Sequence, residues 1–190
     1  MSPELRLMLS PRDAYAALAR TSGRGTAWTA VRRPLLVAFV LGVATAMSAT
    51  GRVTPALLLS TTACWSFVVV IQAAIALTLV AGPARRTVGL ARAIDLYFAG
   101  HAPWSLWMLA VAAWAPSPIG RPLSPLLVAG AVPLILTPRI LSAYFREVLE
   151  MDPRHALARA AAQQVMTWVT FVVLFGGAVA LTPRVLEWLA

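Results

Sequence analysis

Charge is what this sequence has least of. Only 12% of its 190 residues are Asp, Glu, Lys or Arg, against roughly 25% in a soluble domain. Lysine is absent, and all 16 basic residues are arginine, a usage from which no function follows. The single cysteine, Cys64, lies inside an apolar run, so no intrachain disulfide can form and the redox compartment cannot be read. There are two histidines, His101 and His155. A zinc site would want a third or fourth ligand, and a haem pair would need the two to face each other across one pocket. Cys64 has no neighbouring base to make it a nucleophile. No GxSxG elbow, HExxH helix or phosphate loop occurs. Gly176 and Gly177 fall inside the last apolar run, where they suit close helix packing better than phosphate binding. The expectation is a protein without metal, cofactor or catalytic residue, and not an enzyme.

What the chain does have is apolar length: 59% of it is hydrophobic, with a mean hydropathy of +0.76. The runs read as Pro34–Ser48 (extending to Thr50), Ala56–Val80, Pro103–Ala115, Leu123–Tyr144 and Gln164–Leu181. A membrane-spanning helix needs about 20 residues, so the second and fifth qualify outright. The fourth contains Pro133 and Pro138 and is expected to be one kinked helix. The third, about 13 residues before Pro116 and Pro118, is too short to span alone. The expected fold is all-α: a polytopic membrane protein with five transmembrane helices in residues 34–190, preceded by a cytoplasmic segment, residues 1–33. No secretory leader is expected, because the first apolar run begins only after a polar and mixed stretch with no small-residue cleavage site.

Arginine sets the orientation. Arg6, Arg12, Arg20, Arg24, Arg32 and Arg33 precede the first run; Arg85, Arg86 and Arg92 follow the second; Arg139, Arg146, Arg154 and Arg159 follow the fourth. Only Arg52, Arg121 and Arg184 belong to the other side. The positive-inside rule then predicts a cytoplasmic N-terminus and an external C-terminus, the odd parity that five crossings require. The net charge of +9 would face an anionic leaflet, and nucleic acid is not expected as a partner.

The N-terminal segment predicts a short helix. Ser10 is a suitable N-cap, Pro11 a first helical residue, and Asp13 an acid in the first turn. Tyr15, Leu18 and Ala19 share one apolar face, as an interfacial amphipathic helix would. Asp152 and Pro153 repeat the cap-proline arrangement before the last helix. Pro11, Arg12, Ala14, Tyr15 and Leu18, together with the crossing pattern, resemble the bacterial members of the Yip1-domain family. Asp95, Leu96 and Tyr97 are similar to a family tripeptide. It stands after the second span instead of before the first, and Phe98 and Ala99 replace the Gly-Pro that should follow, so that site is not carried over. The resemblance implies a bacterial inner-membrane protein that organises membranes or forms complexes with other membrane subunits, without catalysis.

Asp95, His101 and Arg92 form the one candidate polar site. A helix ending near Gly100 and restarting at Pro103 would leave Asp95 and His101 wet at the headgroup level. Tyr97, Trp104 and Trp107 would then be an interfacial aromatic belt. The alternative is one broken helix over residues 90–115 that pulls Asp95 towards hydrocarbon, where it would need Arg92 or His101 as a partner. Ala38, Gly42, Ala46 and Thr50 recur every four residues and predict a helix-packing face. Thr61, Trp65, Val68 and Gln72 make a milder polar row, from which Gln72 should seek an interhelical hydrogen bond. Three functions follow as expectations: a membrane-organising or complex-forming protein, a small transporter with Asp95 and His101 near its path, or an accessory subunit of a larger membrane complex, redox complexes included.

Overall fold

The computed structural model describes residues 3–20, 25–84, 87–114 and 124–189, with side chains for 5–20, 25–84, 87–114, 124–174, 176 and 177. Arg24, Arg85, Arg86 and Arg121, which entered the charge count, lie outside the described residues, as do Pro116 and Pro118. Every regular element described is a helix: α1 (Pro3–Leu9), α2 (Pro11–Arg20), α3 (Ala27–Thr50), α4 (Pro55–Ala84), α5 (Leu90–Ala99), α6 (Ala102–Trp114), α7 (Ser124–Ala129), α8 (Ala131–Glu147) and α9 (Pro153–Leu189). Four stretches are long and apolar enough to cross a membrane: α3, α4, the α7–α8 pair and the first part of α9, Pro153–Leu174. The protein is therefore an all-helical membrane protein.

Helix ends depart from the apolar runs for local reasons. α3 starts at Ala27, not Pro34, because the Thr26 side chain accepts from the Thr29 amide and caps the helix. That draws Arg32 and Arg33 into the first turns. α9 starts at Pro153, where Asp152 accepts from the amides of Arg154 and His155. The fourth run is interrupted at Gly130. Pro133 has no N–H for the Ala129 carbonyl and its ring crowds that carbonyl. The ladder still continues through Gly130 N to Leu126 O and Leu134 N to Gly130 O, so α7 and α8 act as one bent helix.

Long-range contacts fix the path of the chain. Trp65 on α4 donates to Thr45 on α3, and Thr61 donates to the Gly42 carbonyl, so α3 and α4 are antiparallel. Arg33 pairs with Asp95 while Ser48 donates to the Ala112 carbonyl. Hence α5 and α6 together follow α3, in the same direction and over most of its length. Trp107 donates to the Leu126 carbonyl and Tyr144 to the Ala93 carbonyl, which turns α7–α8 back. Gln72 meets Thr167 and Arg159 reaches the Leu79 carbonyl, so α9 runs against α4.

The core gathers at one end. Tyr15, Leu96, Tyr97, Ile140, Leu141, Tyr144 and Phe145 are almost wholly buried there, with Tyr15 edge-on to Tyr144. α2 docks on α8, burying Ala14 and Tyr15, with Leu18 and Ala19 partly buried against the same core. The apolar face expected to rest on lipid is instead the face that joins α2 to the bundle. Away from this end the helices are thinly packed and expose Leu59, Val70, Val128, Ile135 and Val172. In water that much exposed apolar surface would be an aggregation liability; in a bilayer it is the surface lipid wets.

Candidate functional site

The break between α5 and α6 builds the first part of the site. Gly100 N turns back to the Tyr97 carbonyl instead of continuing the helix to Leu96. The Leu96 carbonyl, left without its helical donor, accepts from the Tyr15 hydroxyl at 3.1 Å. Gly100 is required for that approach: a Cβ there would stand 2.7 Å from the Tyr15 oxygen. Burial pushes the Tyr15 phenol well above its usual pKa, which keeps it a neutral donor.

Asp95 immediately precedes Leu96 on α5 and is fully buried, so it is not wet. Arg33 Nε donates to Oδ1 at 2.8 Å and Arg92 Nη1 to Oδ2 at 3.1 Å; Arg32 stands 3.8 Å away. Arg92 also donates to the Leu18 carbonyl. One carboxylate thus ties α3 and α5 together and, through Arg92, α2. The arginine side chains are 20–46% exposed, so their outer atoms stay hydrated while the carboxylate is covered by guanidinium groups. A lone carboxylate in hydrocarbon would cost about 2.5–3.5 kcal/mol or more, and this arrangement avoids that cost. Of the two partners expected from sequence for a buried Asp95, Arg92 is one of those found and His101 is not. Arg33 and Arg32 were missed, although Asp95 is the only carboxylate between Asp13 and Glu147 and a buried one must find cations somewhere.

His101 is buried too, and it does not join Asp95. Its Nδ1 lies 3.0 Å from the Tyr97 carbonyl and its Nε2 3.2 Å from Gln163 Nε2. A carbonyl only accepts, so Nδ1 carries the proton and Nε2 accepts from Gln163, a tautomer assigned from the network. Gln163 Nε2 also approaches Gln72 Oε1 and Thr167 Oγ1, and Gln72 donates to Thr167 at 3.0 Å. Gln72 is thereby given the interhelical partner its position demands. The result is a neutral amide–imidazole network joining α4, α9 and the α5–α6 break.

Beside this network an apolar cleft of about 620 Å³ opens among α3, α4, α6 and α9. Arg33 stands at one end; Trp65, Val68, Trp104, Met108, Val111 and Trp168 supply much of the wall. His101 and Gln72 border it, while Asp95 does not.

The remaining sequence-predicted residues divide. Ala38, Gly42 and Ala46 are buried on one face of α3, and a Cβ on Gly42 would collide with Thr62 Oγ1 and stand 2.9 Å from the Thr62 amide nitrogen. Thr50 is exposed and turns its hydroxyl to the Ala46 and Arg52 carbonyls. Tyr97 is fully buried, so it is not part of an interfacial belt. Trp104 and Trp107 are half-buried and edge-on to each other. His155 is exposed and bonded to Asp152, far in the chain and in contacts from His101. Among the described residues no three His, Cys, Asp or Glu side chains are grouped to hold a metal ion. No protein-family model matches this chain, and neither a curated protein nor a solved structure matches it.

Proposed function

We propose that this chain is a five-crossing integral membrane protein of the bacterial inner membrane, N-terminus cytoplasmic, that works by binding lipid and partner subunits rather than by catalysis. The observation that carries the reading is how Asp95 and His101 are used. The carboxylate is committed to arginines that hold three helices together. The imidazole has both nitrogens bonded in a neutral network. Neither group is left poised for proton transfer or nucleophilic chemistry, and what remains for function is surface: exposed apolar helix faces, an arginine-rich end and a cleft. The likeness of Pro11, Arg12, Ala14, Tyr15 and Leu18 to the Yip1-domain family supports a membrane-organising or complex-forming role of the same kind.

Five crossings require α5 and α6 to cross as one broken element, since α6 alone has 13 residues. Their shared path along α3 supports this. A transporter is the second reading, favoured by the proximity of Arg33 and His101 to one cleft. It is weakened because that cleft is apolar-walled and Asp95 does not line it. A reporter fused at Ala190 should read as external and one after Gly89 as cytoplasmic. If α5–α6 does not cross, Ala190 reports from the cytoplasm and the five-crossing reading fails.

A further inference from the structure

We propose that the cleft among α3, α4, α6 and α9 holds one acyl chain of an anionic phospholipid of the inner leaflet, with its phosphate drawn to the arginines at Arg33. The inference rests on the five-crossing reading only for which leaflet supplies the lipid.

Three features of the cleft point to that occupant. Its length suits a chain in one leaflet. The lining runs from Arg33 to Leu41 on α3 and from His101 to Val111 on α6, roughly 12–15 Å at 1.5 Å per residue. That is about half the ~30 Å hydrocarbon core. Its volume, about 620 Å³, falls within the roughly 300–1,000 Å³ typical of ligand pockets. Its wall is apolar almost throughout, and Arg33, at the end beside Phe98 and His101, is the one charged residue among the described residues that line it.

Charge makes the choice among lipids. Among the described residues three guanidinium groups stand around one buried carboxylate, an excess of cations over anions at this end of the cleft. Basic pockets between transmembrane helices on the cytoplasmic side attract anionic headgroups in this way. A zwitterionic headgroup would gain less, because its own ammonium would also face arginine. The polar network does not compete, since His101, Gln72 and Thr167 are bonded to one another or through Gln163.

The experiment is native mass spectrometry of the full chain released from detergent, after incubation with an equimolar mixture of phosphatidylglycerol and phosphatidylcholine of identical chains. The expected result is one retained lipid, enriched in phosphatidylglycerol. Arg33→Gln should lower that enrichment roughly fivefold, the equivalent of about one basic residue at a membrane surface. Because Arg33 also holds Asp95, a second variant leaves the charges intact: Val111→Trp fills the cleft and should abolish retention while the unfolding midpoint stays near that of the parent. Retention without headgroup preference would overturn the proposal, since it would mean an ordinary apolar groove. Retention of phosphatidylglycerol by Val111→Trp would also overturn it, by moving the lipid to the outer arginine surface. A dimer mass that Val111→Trp abolishes would assign the cleft to a second copy. Failure of any of these arms leaves the crossing count to the reporters at Gly89 and Ala190, so the two readings fail separately.

Discussion

The two ends of this bundle are held together by different means. At the arginine-rich end, aromatic rings and hydroxyls interlock with backbone. Tyr15 and Tyr144 donate to carbonyls of α5, Asp95 joins α3 to α5, and Tyr97, Leu141 and Phe145 are almost wholly buried. At the far end, α3 and α4 meet through small residues and hydroxyls: Gly42 against Thr62, Thr61 to the Gly42 carbonyl, Trp65 to Thr45. Only 17–33% of each apolar window is buried within the protein. The difference follows from the surroundings. Apolar side chains gain little by leaving lipid for one another, so the membrane part relies on close backbone approach and interhelical hydrogen bonds. The end that meets water can use the hydrophobic effect and burial of large side chains.

The largest expected effect comes from breaking the charged end. Asp95→Asn removes the counter-ion of Arg33 and Arg92 and leaves the amide to pair with guanidinium groups that need a carboxylate. Breaking a buried pair costs 3–5 kcal/mol when the remaining charge is buried; here the arginines are partly hydrated, so we expect about 3 kcal/mol. The unfolding midpoint in detergent measures it, and a variant as stable as the parent would show that the ion pairs contribute nothing net.

The opposite end breaks by a different substitution. Gly42→Leu places a branched side chain against the Thr62 backbone, and α3 must move away from α4. Overpacking costs about 1–3 kcal/mol. Val40→Leu, on an exposed position, should be nearly silent. Equal midpoints for the two variants would remove small-residue contact as the basis of the far end.

These two ends were unequally legible in the sequence. Apolar length and four-residue spacing are local signals. The four stretches long enough to cross a membrane each overlap a run that apolar length marks. Ala38, Gly42 and Ala46 lie buried on one face of α3, while Thr50, the next in that spacing, is exposed. Gln72 could be seen to need a partner, because an amide within an apolar run has no water to turn to. The identity of that partner could not be seen: Gln163 and Thr167 lie more than 90 residues away. The same holds for Asp95. Its surroundings looked interfacial because Gly100, Pro103 and the tryptophans mark a helix break, and a helix break at a membrane edge is ordinarily wet. Here α2 and α3 fold over it, and nothing in the periodicity of residues 90–115 indicates that cover.

Between the two ends sits the neutral network, and its loss should cost less than breaking either end. Gln163→Leu keeps the volume but removes the donor shared by Gln72, His101 and Thr167. Interhelical hydrogen bonds in membranes average about 0.6 kcal/mol and reach about 1.7, so we expect roughly 1 kcal/mol in the unfolding midpoint. Gln72→Leu made together with Gln163→Leu should cost less than the two single losses added, because both act on one network. Full additivity would show that α4 and α9 are joined elsewhere.

The smallest effect concerns the watery start of α9 and depends on pH. Asp152 accepts from the Arg154 and His155 amides and from the His155 ring; the His155 side-chain bond is the main reason its carboxyl titrates below the usual value. A carboxyl whose folded pKa is depressed stabilises the fold above its ordinary pKa, and that contribution disappears as pH falls through the lower folded value. The cap should therefore be intact at neutral pH and weaken only in acid, below the ordinary carboxylate range. Because Asp152 is exposed, solvent screens most of the interaction, and the global midpoint should barely move. Hydrogen exchange at the amides of Arg154 and His155 should nonetheless accelerate on acidification beyond the intrinsic change. Asp152→Asn should remove that extra acid dependence, while an unchanged profile in the variant would assign it to another group. A large fall in the global midpoint over the same range would mean that the aromatic end of the bundle, which already buries Ala156 and Ala160 of α9, depends on this cap, and rings, hydroxyls and Asp95 would not by themselves account for how that end is held.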